Sequence, residues 1–243
     1  MLRVLQVKTA WLAAVCLAAG MAWVVSGHAN RSRAIESPVT GQLLRGQTIV
    51  VDPGHGGRDS GAVGSQSREA DINLAVALEL RHWLRRAGAK VLMTWSRPNQ
   101  LSKERNFRVT DRATWIQGTH ADLLLDIHCN SGIAAHGPQV FYADGEASHL
   151  LAHLISQELH FFTHTHRQVE RIKQYVLEHA GMPAVNVEVG FINHRGDEKL
   201  LMQPAYQRLL SWYILIGVER WYLRNRWPAR LDDALPPAPM MHR

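Results

Sequence analysis

One short stretch sets the architecture of this chain: Ile49-Val50-Val51-Asp52-Pro53-Gly54-His55-Gly56-Gly57. Its three β-branched residues predict a buried strand, and the Asp-Pro-Gly that follows predicts a turn at the edge of a sheet. His55 is therefore expected at the carboxyl end of a strand, where open α/β sheets bind their ligands. The flanking glycines allow close approach to its ring. His55 is either a metal ligand or a turn histidine that hydrogen-bonds to the loop backbone.

The residues after this strand alternate between helical and strand-like patterns. Apolar residues recur at helical spacing over 69–87, and 90–94 and 121–127 are short apolar strands. Strand, helix and strand in one sheet imply parallel strands joined by right-handed crossovers. Further elements are predicted as helices over 106–118, 148–164 and 205–224 and as strands over 139–142 and 184–190. The chain is thus predicted to be an α/β protein with a single folded domain and a mostly parallel, twisted sheet.

Length and composition agree with one globular domain. The chain has 243 residues, 46% hydrophobic and 20% charged, so it can bury a core and is not disordered as a whole. Its net charge of +6 suits an anionic surface such as phospholipid headgroups or an acidic cell-wall polymer. No basic helix or aromatic-basic pattern favours nucleic acid. Cys16 and Cys129 lie in unrelated parts of the sequence, so no disulfide is predicted.

The start of the chain has the pattern of an export segment. Arg3 and Lys8 precede an uncharged run over 9–27, which is typical of a cleaved signal peptide or of a membrane anchor. If the run is retained, it associates the protein with the membrane. We expect a signal peptide or anchor over 1–29, a polar linker over 30–46, the folded domain over 47–226 and a disordered, proline-rich tail over 227–243. The folded domain is expected to work outside the cytoplasm.

Three side chains are predicted to meet at one edge of the sheet. His128 ends a strand as His55 does, and Glu69 opens a helix shortly after the His55 loop. Two imidazoles and a carboxylate are the protein ligands that a catalytic zinc ion uses, with its fourth position open to water. Cys129 points away from His128 because side chains alternate along a strand. It is therefore predicted to be a small buried residue rather than a ligand.

Glu188 is a fourth candidate, embedded in the apolar strand over 184–190. A carboxylate buried there costs free energy unless it has a partner. Its position near the carboxyl end of the strand favours a general base held close to the metal. The alternative is a structural salt bridge to an arginine such as Arg105 or Arg112.

The candidate residues lie in four segments: Val51-Asp52-Pro53-Gly54-His55-Gly56-Gly57, Glu69-Ala70-Asp71-Ile72-Asn73-Leu74, Asp126-Ile127-His128-Cys129-Asn130 and Pro183-Ala184-Val185-Asn186-Val187-Glu188-Val189-Gly190-Phe191. Together they resemble the successive motifs of the zinc-dependent N-acetylmuramoyl-L-alanine amidases of bacterial cell walls, from about Gln47 to Trp221. The resemblance implies that His55, Glu69 and His128 bind Zn²⁺. It also implies that Glu188 is the catalytic carboxylate and that helices cover both faces of a sheet of about six strands.

Two substrate contacts are weaker predictions. Asn130, beside His128, is a candidate to hydrogen-bond the substrate or to orient a ligand. The family usually has Thr-Arg at the end of the second strand, whereas this chain has Thr94-Trp95-Ser96-Arg97. The candidate contact at Arg97 is therefore displaced along the chain.

The resemblance implies hydrolysis of the amide bond between N-acetylmuramic acid and L-alanine in peptidoglycan or muropeptides. The enzyme is then expected in the periplasm or at the outer face of the cytoplasmic membrane. Two alternatives stay open, namely a catalytically inactive peptidoglycan-binding protein and a zinc peptidase that acts on the stem peptide. Whether an activator protein is needed is also open.

Four histidines lie on one side of the predicted helix over 148–164, at His149, His153, His160 and His164. We interpret them as a solvated stripe. An accessory metal face and a pH-sensitive patch are the alternatives.

Overall fold

The computed structural model describes residues 42–98, 108–132 and 135–226. These residues form six strands and six helices that mostly alternate along the chain, which confirms the predicted α/β class. The strands are Thr48–Pro53 (β1), Lys90–Met93 (β2), Leu123–Asn130 (β3), Gln139–Tyr142 (β4), Glu170–Arg171 (β5) and Ala184–Phe191 (β6). The helices are Glu69–Arg86 (α1), Val109–Gly118 (α2), Glu146–Thr163 (α3), Tyr175–Glu178 (α4), Arg195–Leu201 (α5) and Pro204–Arg226 (α6).

The strands form one sheet in the order β2-β1-β3-β6-β4-β5, and it is mostly parallel, as predicted. The first four strands in this order run parallel, β4 pairs with β6 antiparallel, and β5 runs parallel to β4. Asp126 is paired with Asp52 on one side and with Asn186 on the other. Two residues further along, His128 is paired with Glu188. The parallel strands therefore bring these polar residues to one edge of the sheet.

Helices cover both faces of the sheet. On one face, buried residues of α2 and α4 pack with Val50, Leu124 and Ala184 of the central strands. On the other face, α1 lies against β1 and β3, and α6 packs across α1 and α3. The Ser211 hydroxyl of α6 donates a hydrogen bond to the Val76 carbonyl of α1 at 2.9 Å. The apolar last helix thus packs in the core of the domain.

The end of β3 differs from the prediction. The strand continues to Asn130, so His128 lies inside it rather than after it. The pairing with β6 becomes irregular between His128 and Asn130. Hydrophobicity alone predicts that the strand ends at Ile127, because His128 and Asn130 are polar. The backbone of these two residues nevertheless continues the pairing with β6.

The termini of the chain extend beyond the described residues. Residues 42–46, at the end of the predicted linker, form turns in which Leu44 is fully buried and donates its N–H to the Ala87 carbonyl at 2.9 Å. The predicted export segment over 1–29 and the predicted tail over 227–243 lie outside what the structure describes. In the described part of the chain, no helix is both long enough and apolar enough to cross a membrane.

Candidate metal centre

Three side chains from separate elements converge at the carboxyl edge of the sheet. His55 follows β1, Glu69 opens α1, and His128 lies near the end of β3. His55 Nε2 is 3.1 Å from Glu69 Oε1, and His128 Nδ1 is 3.0 Å from the same oxygen. One ligand atom from each residue lies within 4.8 Å of the other two. The structure therefore brings together the three predicted metal ligands.

The local backbone leaves space for this convergence. His55 itself adopts φ +60°, a left-handed conformation that non-glycine residues seldom adopt. A Cβ atom at Gly54 would lie 2.2 Å from the His128 ring, and one at Gly61 would lie 2.6 Å from Glu69 Oε2. Any larger residue at either position would occupy the space of a candidate ligand.

Each imidazole has a second carboxylate on its other side. His55 Nδ1 is 2.9 Å from Asp59 Oδ2, and His128 Nε2 is 3.3 Å from Asp126 Oδ1. One nitrogen of each ring thus faces Glu69 and the other faces an aspartate, which is how metal-binding histidines are commonly oriented. Sequence reasoning assigned no role to either aspartate. The available signals were the spacing of Asp59 four residues after His55 and the position of Asp126 on the same strand face as His128.

The charges of the cluster favour a cation. Burial raises the pKa of the Glu69 carboxyl, but hydrogen bonds from His128, His55 and the Ala62 N–H hold that pKa well below its usual range. The hydrogen bond to Glu69 raises the pKa of His55. Burial lowers the pKa of His128, but Asp126 and Glu69 raise it well above its usual value. The site therefore attracts positive charge, carried either by protons or by a metal ion.

The donor set fits zinc. Zinc bonds of about 2.0–2.2 Å at tetrahedral angles place neighbouring ligand atoms about 3.3–3.6 Å apart. The separations of 3.0 and 3.1 Å from Glu69 Oε1 to the two imidazole nitrogens are slightly shorter than this, and all three ligand atoms lie within 4.8 Å of one another. Cys129 is only 3% exposed, as predicted, and its backbone N–H donates to Glu69 Oε1 at 3.2 Å. Its backbone thus helps to fix the carboxylate.

Glu188 lies beside His128 on the neighbouring strand. Burial raises the pKa of Glu188 to about 7, against the lowering effect of His128. Its Oε2 atom makes no hydrogen bond, and no arginine forms an ion pair with it among the described residues. Arg112, one predicted partner, instead donates to the His55 carbonyl at 2.6 Å, and Arg105 lies outside the described residues. The Glu188 carboxyl therefore lies beside the cluster with a pKa near neutrality and without an arginine partner among the described residues.

Buried polar side chains form hydrogen bonds with Asp52 and Asp126, next to the candidate metal centre. Asp52 accepts a hydrogen bond from the Thr94 hydroxyl, and burial raises the pKa of Asp52 to about 6. Gln174 Nε2 donates to Asp126 Oδ2 at 2.8 Å, and Asn186 Nδ2 donates to Gln174 Oε1 at 3.1 Å. These bonds fix the aspartate that lies behind His128.

The two candidate substrate contacts lie apart from each other. Asn130 Oδ1 accepts the Ser131 N–H at 2.8 Å, and the Asn130 carbonyl accepts the Ile192 N–H at 2.9 Å. Asn130 thus shapes the strand end beside the cluster. Arg97 is exposed after β2, an edge strand that β1 separates from β3. Its contact with substrate stays a prediction.

Three of the four predicted stripe histidines share one surface. His149, His153 and His160 line a cavity of about 310 Å³ beside α3, together with His166. Burial lowers the pKa values of His153 and His160. His164 instead ends α3 with φ +57°. The exposure of His149 and His153 agrees with a solvated stripe.

Comparison with known proteins points to one family. Residues 49–220 match the family model described as N-acetylmuramoyl-L-alanine amidase. The germination-specific N-acetylmuramoyl-L-alanine amidase of Bacillus subtilis is 32% identical over 198 residues, which are 76% of this chain and 84% of that protein. The region that matches the family model, residues 49–220, contains His55, Glu69, His128 and Glu188.

Solved structures give the same result. The CwlD amidase from Clostridioides difficile, solved in complex with the GerS lipoprotein, has a TM-score of 0.67 and 32% identity over 72% of this chain and 98% of that chain. The catalytic domain of the amidase CwlV from Bacillus (Paenibacillus) polymyxa var. colistinus has a TM-score of 0.65 and 28% identity, covering 72% and 97%. Sequence and fold thus agree over most of the chain, which belongs to the N-acetylmuramoyl-L-alanine amidase family.

Proposed function

We propose that this protein is a zinc-dependent N-acetylmuramoyl-L-alanine amidase that acts on peptidoglycan or its muropeptides. The proposal rests on the convergence of His55, Glu69 and His128 at one sheet edge, with the Glu188 carboxylate on the adjoining strand. Family membership supports the choice of bond, between the lactyl group of N-acetylmuramic acid and L-alanine.

His55 Nε2, Glu69 Oε1 and His128 Nδ1 would hold the ion. Zinc bound there supplies an acidified water and polarises the carbonyl of the scissile amide. The Glu188 carboxylate accepts a proton from the attacking water, whose oxygen adds to the lactyl carbonyl carbon. As the carbon–nitrogen bond breaks, Glu188 delivers this proton to the departing alanine nitrogen. The products are a lactyl carboxylate on the sugar and a free amino terminus on the peptide.

Burial suits Glu188 to both steps. A pKa of about 7 lies near neutral pH, where a carboxyl group can accept a proton and return it with little cost. Glu188 is half-buried, and its buried Oε2 atom has no hydrogen-bond partner, so no other side chain holds this oxygen in place.

We also propose that the protein acts outside the cytoplasm. Arg3 and Lys8 before the uncharged run over 9–27 support export to the periplasm or to the outer face of the membrane, where peptidoglycan lies. By analogy with the CwlD complex, a lipoprotein is the class of protein partner to seek by co-purification.

Glu188→Gln tests the assigned chemistry. The variant keeps the shape of the side chain but cannot accept the proton, so we expect muropeptide cleavage to fall by about 10²- to 10⁴-fold. Zinc content, measured by metal analysis, should stay that of the wild type. Glu146→Gln, at an exposed position on α3, is the matched control and should cleave normally. Retained turnover in Glu188→Gln would remove the proposed role.

The same comparison tests the inactive wall-binding alternative. A protein that only binds peptidoglycan would still bind purified cell wall. In that case, digests with the wild type and with Glu188→Gln would give identical muropeptide profiles. A cleared zone in a wall zymogram, present for the wild type and absent for the variant, supports the enzyme.

A further inference from the structure

The loop between β1 and α1 holds the outer side of the candidate ligand Glu69. The Ala62 N–H donates to Glu69 Oε2 at 2.8 Å, and the Ala62 carbonyl accepts the Glu69 N–H at 2.9 Å. The Ser60 carbonyl accepts the Ala70 N–H at 3.1 Å. The first bond occupies Oε2 while Oε1 faces the two imidazoles, and the two backbone bonds hold the loop against the start of α1. The position of Glu69 therefore depends on the conformation of this loop.

The tip of the loop is attached to Glu198, on α5. Glu198 Oε2 accepts the Ser65 hydroxyl at 2.5 Å, and Oε1 accepts the Gln66 N–H and the Ser67 hydroxyl, both at 2.8 Å. A Cβ atom on Gly64 would lie 2.3 Å from Glu198 Oε1, so the loop packs directly on the carboxylate. Glu198 thus holds three consecutive residues that are more than 130 positions away in sequence.

Glu198 is well suited to this contact. Glu198 is only 4% exposed. Burial raises the pKa of its carboxyl, but the donors Ser65, Gln66 and Ser67 bring the pKa below its usual value. An ionised carboxylate with several donors makes stronger hydrogen bonds than a neutral acceptor does. This attachment is therefore stronger than ordinary loop packing.

Helix α5 is itself fixed to the end of β6. Asp197 Oδ2 accepts the Phe191 N–H at 2.9 Å, and the His194 ring accepts the Asp197 N–H at 3.3 Å, which caps the helix. Since β6 also carries Glu188, the two proposed functional carboxylates are connected through Glu198 and the loop. Glu198, which contacts the loop that positions Glu69, is thus held at the end of the strand that carries Glu188.

We propose that Glu198 is a positioning residue, which holds the loop over 62–68 so that Glu69 is oriented for zinc before the ion arrives. This inference rests on the proposed function. Neither the sequence motifs nor the contacts of the cluster itself assign a role to Glu198, which acts only through the loop.

Two variants test the role from opposite sides of the contact. Glu198→Gln weakens the acceptor, and the double variant Ser65→Ala, Ser67→Ala removes two donors while α5 stays intact. For both, we expect the zinc dissociation constant to rise about 10- to 100-fold, as for other groups that orient a ligand. At saturating zinc, kcat should fall while KM stays within about twofold. Glu146→Gln is again the control.

The zinc constants are measured by chelator competition, and thermal unfolding of the metal-free proteins shows that each variant is folded. Equal zinc affinity and kcat in the wild type and both variants would overturn the positioning role, whatever their thermal stability. A wild type that binds no zinc would instead contradict the proposed function, and this inference with it. Weakened binding in either folded variant supports the inference.

Discussion

Asp59 acts on the candidate centre through a single hydrogen bond to the His55 ring. Its other oxygen, Oδ1, accepts the Gly61 N–H at 3.0 Å, so the aspartate is fixed on both sides. A carboxylate on Nδ1 sets the tautomer that leaves Nε2 free for a metal and increases the basicity of the ring. The same logic applies to Asp126 and His128.

Asp59→Asn should therefore weaken zinc binding without unfolding the protein. We expect the zinc dissociation constant to rise about 10- to 100-fold, because the amide no longer holds the His55 ring as firmly. Asp144→Asn is the control, since Asp144 is exposed and pairs with Arg171. Chelator competition measures both, and an unchanged constant for Asp59→Asn would show that the ring is oriented by other contacts.

Single residues were predictable from the sequence only where a pattern marks them. The apolar strand over 49–51 points to His55, and polar residues within other apolar runs point to His128 and Glu188. Glu198 had no such signal because its partners lie 131 to 133 residues away. Only the folded chain brings these residues together.

At the level of elements, α6 approaches α3 very closely. Gly217 makes this possible, because a Cβ atom there would lie 2.6 Å from Ile155 Cα and 2.9 Å from the Ile155 nitrogen. Backbone atoms cannot move aside as a flexible side chain can. The contact of these helices therefore depends on one glycine.

Gly217→Ala should destabilise the domain by about 1–3 kcal/mol through overpacking. Gly118→Ala is the matched control: no atom lies within 4 Å of its added Cβ, so we expect no loss and up to about 1 kcal/mol of gain. Urea unfolding of the metal-free proteins measures both free energies. Similar stabilities for the two variants would mean that α3 and α6 adjust their spacing freely.

Most elements followed from hydrophobic periodicity, since the strands are apolar runs and the long helices have an apolar face. The two-residue strand β5, Glu170–Arg171, was not predicted, because both residues are exposed and charged and carry no strand pattern. It forms because the neighbouring strand β4 offers a free edge.

At the level of the whole molecule, a buried acid distant in sequence from the metal centre, Glu219, also contributes to the pH dependence of stability. Glu219 on α6 is 5% exposed and its Oε1 atom has no hydrogen-bond partner, so burial raises its pKa from 4.5 to about 7. The folded state keeps this proton longer than the unfolded state does. Its contribution to the free energy of unfolding is therefore full below about pH 4.5 and is lost as the pH rises to about 7.

Glu219→Gln removes the contribution of this residue to the pH dependence. We expect the variant to match the wild type near pH 4.5 and to be more stable by about 1–3 kcal/mol at pH 8, where the wild type buries a charge. Urea unfolding of both proteins across this range, with a chelator present, provides the measurement. A constant difference between the two at all pH values would show that Glu219 titrates normally.

The converging side chains are proposed to hydrolyse one particular amide bond, and mass spectrometry of muropeptides released by the purified protein identifies the bond that is cut. We expect complete stem peptides with L-alanine at a new amino terminus, and glycan that keeps its lactyl carboxylate. A chelator should abolish these products and added zinc should restore them. Shortened stem peptides, with alanine still attached to muramic acid, would show that the protein is not an N-acetylmuramoyl-L-alanine amidase.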